Sequence, residues 1–205
     1  PLGDIYHSEL VTVGAPNAET AFTGKNQEAY FRSINNYDTW AASKSNREEI
    51  IYVGANDGML HAFNAKTGVE EWAFVPPFIA SSMPTMINVN LNQTLGGSNA
   101  IYGVDGSPVV HDMYFRSAFD SAKQWHTILM IPYGRGGAGF SVLDITDPYK
   151  PLHLYSVLND NIRNEVHVMD HNGLINSYDY IASSYPLRSL VEAIQVRENA
   201  DNDVG

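Results

Sequence analysis

This sequence predicts an all-β chain assembled from β-propeller blades, and three observations predict it. Tyr, Val, Ile, Phe, Trp and Thr gather in runs of four to eight residues separated by Gly, Pro, Asn and Asp, the pattern of short strands and tight turns. The three runs within residues 49–75 follow one another as a meander. One strand-turn-strand unit also recurs, since residues 53–64 align without gaps on residues 168–179. Such internal repetition marks propellers and solenoids.

The clearest hairpin pairs residues 49–54 with 59–64 across the turn Asn56-Asp57-Gly58, where Asp-Gly supplies the positive φ a tight turn requires. A third strand is expected over residues 69–75, ended by Pro76-Pro77 because proline cannot donate to a ladder. Further strands are expected at 107–115, 123–128, 128–131, 139–144 and 152–157. A looser third copy of the repeat runs from Ile128 through a glycine-rich turn to Asp144. Its anchoring glycines Gly58, Gly139 and Gly173 stand 81 and 34 residues apart, roughly two and one blades of about 40 residues. Residues 14–48 and 78–106 are expected as polar, Asn- and Ser-rich insertions between blades, and residues 186–193 as a helical turn. At about 40 residues per blade the chain supplies about four blades, so residues 1–205 are expected to form one domain, an incomplete arc of a larger propeller.

The 205 residues are 44% hydrophobic and 17% charged, enough apolar material for a core. Twelve Lys and Arg against 23 Asp and Glu leave a formal charge of -11, which repels a phosphate backbone and anionic lipid and excludes nucleic acid as a partner. No stretch approaches the roughly 18 apolar residues of a membrane span, so no membrane insertion is expected in this segment. The start, Pro1-Leu2-Gly3-Asp4, lacks the basic and apolar regions of a signal peptide, and any targeting signal is expected outside the chain. The absence of Cys rules out thiolate zinc sites, disulfides and cysteine nucleophiles and leaves the compartment open. Clustered Asp and Asn on an acidic surface suit a hard cation with oxygen ligands.

Several motifs carry two readings. Gly134-Arg135-Gly136-Gly137-Ala138-Gly139 satisfies the G-x-G-x-x-G pattern, but a dinucleotide site needs a helix to open at the last glycine, and a strand is expected there instead. A glycine-rich hairpin turn is the simpler reading. Asn64-Ala65-Lys66-Thr67-Gly68-Val69-Glu70-Glu71-Trp72 resembles the D-A-x-T-G-x-x-x-W repeat of quinoprotein-type propellers, where Trp packs between blades; the functional alternative is a quinone at the propeller axis, as in a quinone-dependent dehydrogenase. His167 and His171 lie on one face of a strand about 13 Å apart, too far to share an ion unless a turn intervenes. Glu48-Glu49 and Glu70-Glu71 point to opposite faces and read as solvated rather than catalytic. No G-x-S-x-G nucleophile context occurs.

The chain closes on Asn199-Ala200-Asp201-Asn202-Asp203-Val204-Gly205. Asn199, Asp201 and Asp203 take positions 1, 3 and 5 of an EF-hand-like calcium loop, whose alternate side chains converge on one ion. Val204 stands where that loop has glycine, and the later ligand would lie past Gly205. A half-complete calcium loop and a polar chain end both fit.

Taken in order, Pro1-Leu2-Gly3-Asp4-Ile5, the segment from Tyr52 to Phe63, Trp72-Ala73-Phe74-Val75-Pro76-Pro77, Val104-Asp105-Gly106-Ser107-Pro108-Val109, and the glycine-rich turn followed by Leu143-Asp144-Ile145-Thr146-Asp147-Pro148 resemble one family. It is the C-terminal β-propeller of the type IV pilus tip-associated biogenesis factors and adhesins, the PilC/PilY family, over most of residues 1–157. The resemblance implies a non-enzymatic propeller on the bacterial surface or at the pilus tip, exported through the periplasm. Its implied work is pilus assembly, restraint of retraction, adhesion and surface motility, with minor pilins and host surface receptors as partners. It also implies calcium as the ligand of a D-x-D-x-D loop, onto which only Asn199, Asp201 and Asp203 map.

Overall fold

A computed structural model describes residues 3–84 and 102–179. The first sheet holds β1 (Val11–Val13), β2 (Ile50–Gly54), β3 (Leu60–Asn64) and β4 (Glu70–Phe74) in that spatial order. The second holds β5 (Val109–Phe115), β6 (Gln124–Pro132), β7 (Gly139–Asp144), β8 (Leu152–Asp160), β9 (Glu165–Asp170) and β10 (Ile175–Asp179), again in chain order. Every pairing is antiparallel. Among the described residues both sheets are therefore meanders, as the short runs and turn residues predict.

The repeat is visible in three dimensions. Gly58 and Gly173 take φ of 90° and 81°, a region open to glycine at no steric cost. In both turns the strand ends close in the same way: Ala55 N–H donates to the Met59 carbonyl at 3.0 Å, and Asp170 N–H donates to the Leu174 carbonyl at 3.0 Å. The two runs expected at 123–128 and 128–131 fuse into the single strand β6. It lies between β5 and β7, and its residues from Trp125 to Leu129 are all buried.

One core spans the two sheets. Ile50, Tyr52, Leu60 and Ala62 from the first meet Leu129, Ile131, Leu143 and Ile145 from the second, with Val104 among them. Full burial of such aliphatic side chains is worth about 1.5–3 kcal/mol each, which makes this contact the main reason the sheets stay together. A smaller cluster joins Ile79, on the short helix α3 (Pro77–Ala80), to Tyr133, with Phe78 and Met83 at its margin.

The polar segment 14–48 joins β1 to its own pairing partner β2 and carries two helices that composition did not suggest, α1 (Gln27–Ile34) and α2 (Tyr37–Ser43). Asn26 caps α1 by accepting the Ala29 N–H at 3.1 Å, the role for which a short polar side chain is favoured. Isolated helices of seven or eight residues are unstable in water, so the stabilisation comes from tertiary contact. The buried Trp125 ring meets Phe31 at 6.0 Å, Tyr37 at 4.9 Å, Trp40 at 6.1 Å and Tyr114 at 5.3 Å. Its indole N–H donates to the Asn35 carbonyl at 2.8 Å.

Candidate functional site

The helices are also held by a chain of polar contacts through the sheet. Arg47 donates to the Gly14 carbonyl through Nε at 2.7 Å and to Thr127 Oγ1 at 2.7 Å. Thr127 in turn donates to Asp112 Oδ1 at 2.7 Å, and Tyr37 Oη donates to Asp112 Oδ2 at 2.5 Å. Burial, and then the Asp112 hydrogen bond, push the Tyr37 phenol up to about 12. Tyr37 therefore stays a donor at any physiological pH.

Beside this network the end of α2, the β5–β6 loop and the β7–β8 loop enclose a cleft of about 410 Å3. His126 forms part of its lining, with the side chain only 4% exposed. Its Nδ1 lies 2.6 Å from Asp144 Oδ2, and its Nε2 lies 3.1 Å from Asp120 Oδ2, although that second contact is off the line of a hydrogen bond. Burial lowers the His126 pKa, but the Asp144 hydrogen bond and the charges of Asp144 and Asp120 outweigh it and hold the imidazole above its ordinary value. Burial raises Asp144 and Asp120, yet hydrogen bonds from His126 and Thr146 to Asp144, and from Ser117 to Asp120, leave both carboxyls below the usual range. The three groups form an ion triad that is complete when the ring is protonated.

A second histidine is flanked in the same way. His61 on β3 sets Nδ1 2.7 Å from Glu70 Oε1 and Nε2 3.0 Å from Asp57 Oδ2. Here too burial lowers the ring's pKa, and the bonds to Asp57 and Glu70 reverse the direction. Glu48 accepts from Tyr149 Oη at 2.5 Å and from Asn64 Nδ2 at 2.8 Å. Glu48 and Glu70 are exposed, as expected of solvated acids, and also accept hydrogen bonds that tie turns to strands. A buried hydroxyl chain runs from Tyr133 Oη to Ser141 Oγ at 2.8 Å, to Ser156 Oγ at 2.7 Å and to His153 Nε2 at 2.8 Å. Both serines are fully buried, out of reach of a substrate, so the chain is structural despite its serine-histidine contact.

The remaining motifs resolve by geometry. Residues 134–136 form a single 3-10 turn, and β7 follows, so no helix N-terminus faces a phosphate and the segment is the expected glycine-rich turn. Its glycines allow backbone to lie on backbone: a Cβ on Gly136 would strike the Gly103 carbonyl. Trp72, the last residue of the D-A-x-T-G-x-x-x-W-like segment, packs 5.6 Å from Tyr52 and donates its indole N–H to the Pro148 carbonyl at 2.8 Å. It joins the two sheets, as the packing reading expects. His167 binds Ser177 Oγ at 2.7 Å, while His171 stands edge-on to Phe119 at 5.2 Å. Among the described residues no three His, Asp or Glu side chains converge with metal-holding geometry. Asn199, Asp201 and Asp203, with Val204 and the turn expected at 186–193, lie outside the described residues.

Open meander sheets packed face to face, joined by an inter-sheet tryptophan and built on a repeated hairpin, define a partial β-propeller. A profile of the PilY1 β-propeller domain matches residues 2–176, and the chain belongs to that family. It is 41% identical over 147 residues to the type IV pilus biogenesis factor PilY1 homolog of Xylella fastidiosa, covering 72% of this chain and 11% of the relative. It is 37% identical over 147 residues, with the same two coverages, to the type IV pilus biogenesis factor PilY1 of Pseudomonas aeruginosa strain UCBPP-PA14. The chain thus spans about a tenth of the length of the curated relatives it matches. The crystal structure of the Pseudomonas aeruginosa PilY1 C-terminal domain aligns at 25% identity with a TM-score of 0.46, over 84% of this chain and 37% of that one.

Proposed function

We propose that this chain is a non-enzymatic propeller module of a type IV pilus biogenesis factor, acting at the pilus tip or the bacterial outer surface. The observation that carries the reading is the family match over residues 2–176, together with relatives that are themselves named type IV pilus biogenesis factors. In this reading the arc contributes to pilus assembly, retraction control and attachment, and its partners are minor pilins and host surface receptors. None of the described helices is long and apolar enough to cross a membrane.

The finer part of the proposal is calcium. Oxygen donors at alternate positions, Asn199, Asp201 and Asp203, match the first half of a calcium loop, and a loop of this charge binds with the micromolar to millimolar affinity typical of sensors and extracellular modules. Metal binding then orders the loop and biases its contacts with pilus or host partners. The test is calcium titration by calorimetry on the full-length protein beside its Asp201→Ala/Asp203→Ala variant, with piliation of strains carrying each. Binding and piliation that fall together in the variant support the reading. Unchanged affinity and unchanged piliation would remove calcium from it and leave the pilus role to stand on the family alone.

A further inference from the structure

The cleft beside His126 is unused by the pilus reading, and its chemistry is specific enough to name a ligand class. Its volume, about 410 Å3, lies within the range of small-molecule sites, about 300–1,000 Å3. One wall is aromatic: Trp40 on α2 is half-buried, and its ring leans at 34° to the buried Trp125 ring behind it. The rest is polar and carries both signs of charge. Lys44, Lys150 and the His126 ring stand with Asp120, Asp144 and Asp147 around the same space. An anionic ligand would meet three carboxylates there and a cationic one two ammonium groups, so a charged ligand of either sign meets repulsion. What the lining offers is an indole plane with amide, hydroxyl, ammonium and carboxylate groups around it.

We propose that this cleft binds a neutral sugar ring, its C–H face stacked on Trp40 and its hydroxyls bonded by Gln124, Asp147 and Lys150 at the rim. A pyranose has one face apolar enough to cover an indole and an edge of hydroxyls that both donate and accept, which matches a lining of mixed donors and acceptors. The triad below acts as a positioning element. His126 holds Asp120 of the β5–β6 loop and Asp144 of β7 together, which fixes the two loops between which the ring would sit. Neutral saccharide recognition of this kind stands apart from the pilus assignment, so its failure leaves that assignment unaffected.

The test is saturation-transfer difference NMR of the full chain with a panel of methyl glycosides, namely the glucoside, galactoside, mannoside and N-acetylglucosaminide, beside a Gln124→Ala/Lys150→Ala variant. Both substituted residues are exposed, so the variant keeps its fold. Saturation transfer to at least one glycoside, strongest on the C–H protons of one ring face and about tenfold weaker in the variant, supports the site. A Trp40→Leu variant provides a second reading and is expected to abolish the transfer while near-UV dichroism reports on the aromatic cluster. No transfer from any glycoside overturns the proposal, and so does transfer of equal strength in the Gln124→Ala/Lys150→Ala variant.

Discussion

Trp72 and Pro148 are bonded across the seam between the two sheets, the indole Nε1 donating to the proline carbonyl at 2.8 Å. The contact ties edge strand β4 of the first sheet to the β7–β8 loop of the second, at the margin of the shared core. Trp72→Phe keeps a ring but removes the donor, and is expected to lower unfolding stability by about 1 kcal/mol. Trp72→Ala also removes the packing against Tyr52 and is expected to lower it by about 2 kcal/mol or more. Urea denaturation of both variants checks this. A Trp72→Phe variant as stable as the unsubstituted chain would show that the indole bond contributes nothing.

Removal of Arg47 should release the helices before it unfolds the sheets. Its guanidinium fills the gap between the Gly14 carbonyl and Thr127, and burial lowers its pKa while the Asp112 charge opposes that shift. Arg47→Met leaves Asp112 and Thr127 without their cation, and a loss of about 2–3 kcal/mol is expected. Hydrogen exchange should show protection falling in α1 and α2 while β6 keeps its own. A uniform fall across both regions would contradict the separation.

Stability should depend on pH with two opposite signs. His61 and His126 carry raised pKa values in the fold, so the folded chain holds their protons more tightly than the unfolded chain does. Their contribution is complete below the ordinary histidine value, about 6.5, and is lost as pH rises through the folded values. Asp57, Asp120 and Asp144 are lowered. Their contribution is complete above the ordinary carboxyl value, about 3.9, and is lost as pH falls through the folded values. The urea midpoint should therefore be highest in mildly acidic solution and decline toward alkaline pH. In a His61→Gln/His126→Gln variant the alkaline decline should flatten, and an unchanged slope would refute the assignment.

Gly136→Ala is expected to destabilise the chain by about 1–3 kcal/mol, because the added Cβ meets the Gly103 backbone rather than a side chain able to rotate away. Thermal unfolding measures it. Unchanged stability would mean that the 102–106 loop is free to move off the turn.

The strands were legible because alternation and turn residues coincide. The hairpin expected at 49–54 and 59–64 forms as Ile50–Gly54 and Leu60–Asn64, and its glycine turn recurs with the same closing hydrogen bond at Asn172-Gly173. Trp72 was legible because its motif is local. The helices of segment 14–48 were not, since a Ser- and Asn-rich stretch folds here only against Trp125, about ninety residues further along the chain. The Asn26 cap was the one local signal for α1. The triad of Asp120, His126 and Asp144 was hidden for the same reason: one loop and two strands bring it together, and no fixed spacing announces it. The calcium reading remains one of sequence alone, resting on Asn199, Asp201 and Asp203.

The most direct test of the account is the count of surface pili on cells whose only copy of the full-length protein carries Leu129→Asp. Leu129 is fully buried in the core shared by both sheets, and an unpaired carboxylate there is expected to unfold the arc. The account predicts that sheared surface pilin falls to near the level of the deletion strain at matched protein abundance. Pili at the natural level, with the arc shown to be unfolded, would contradict the claim that this folded propeller segment is what pilus biogenesis uses.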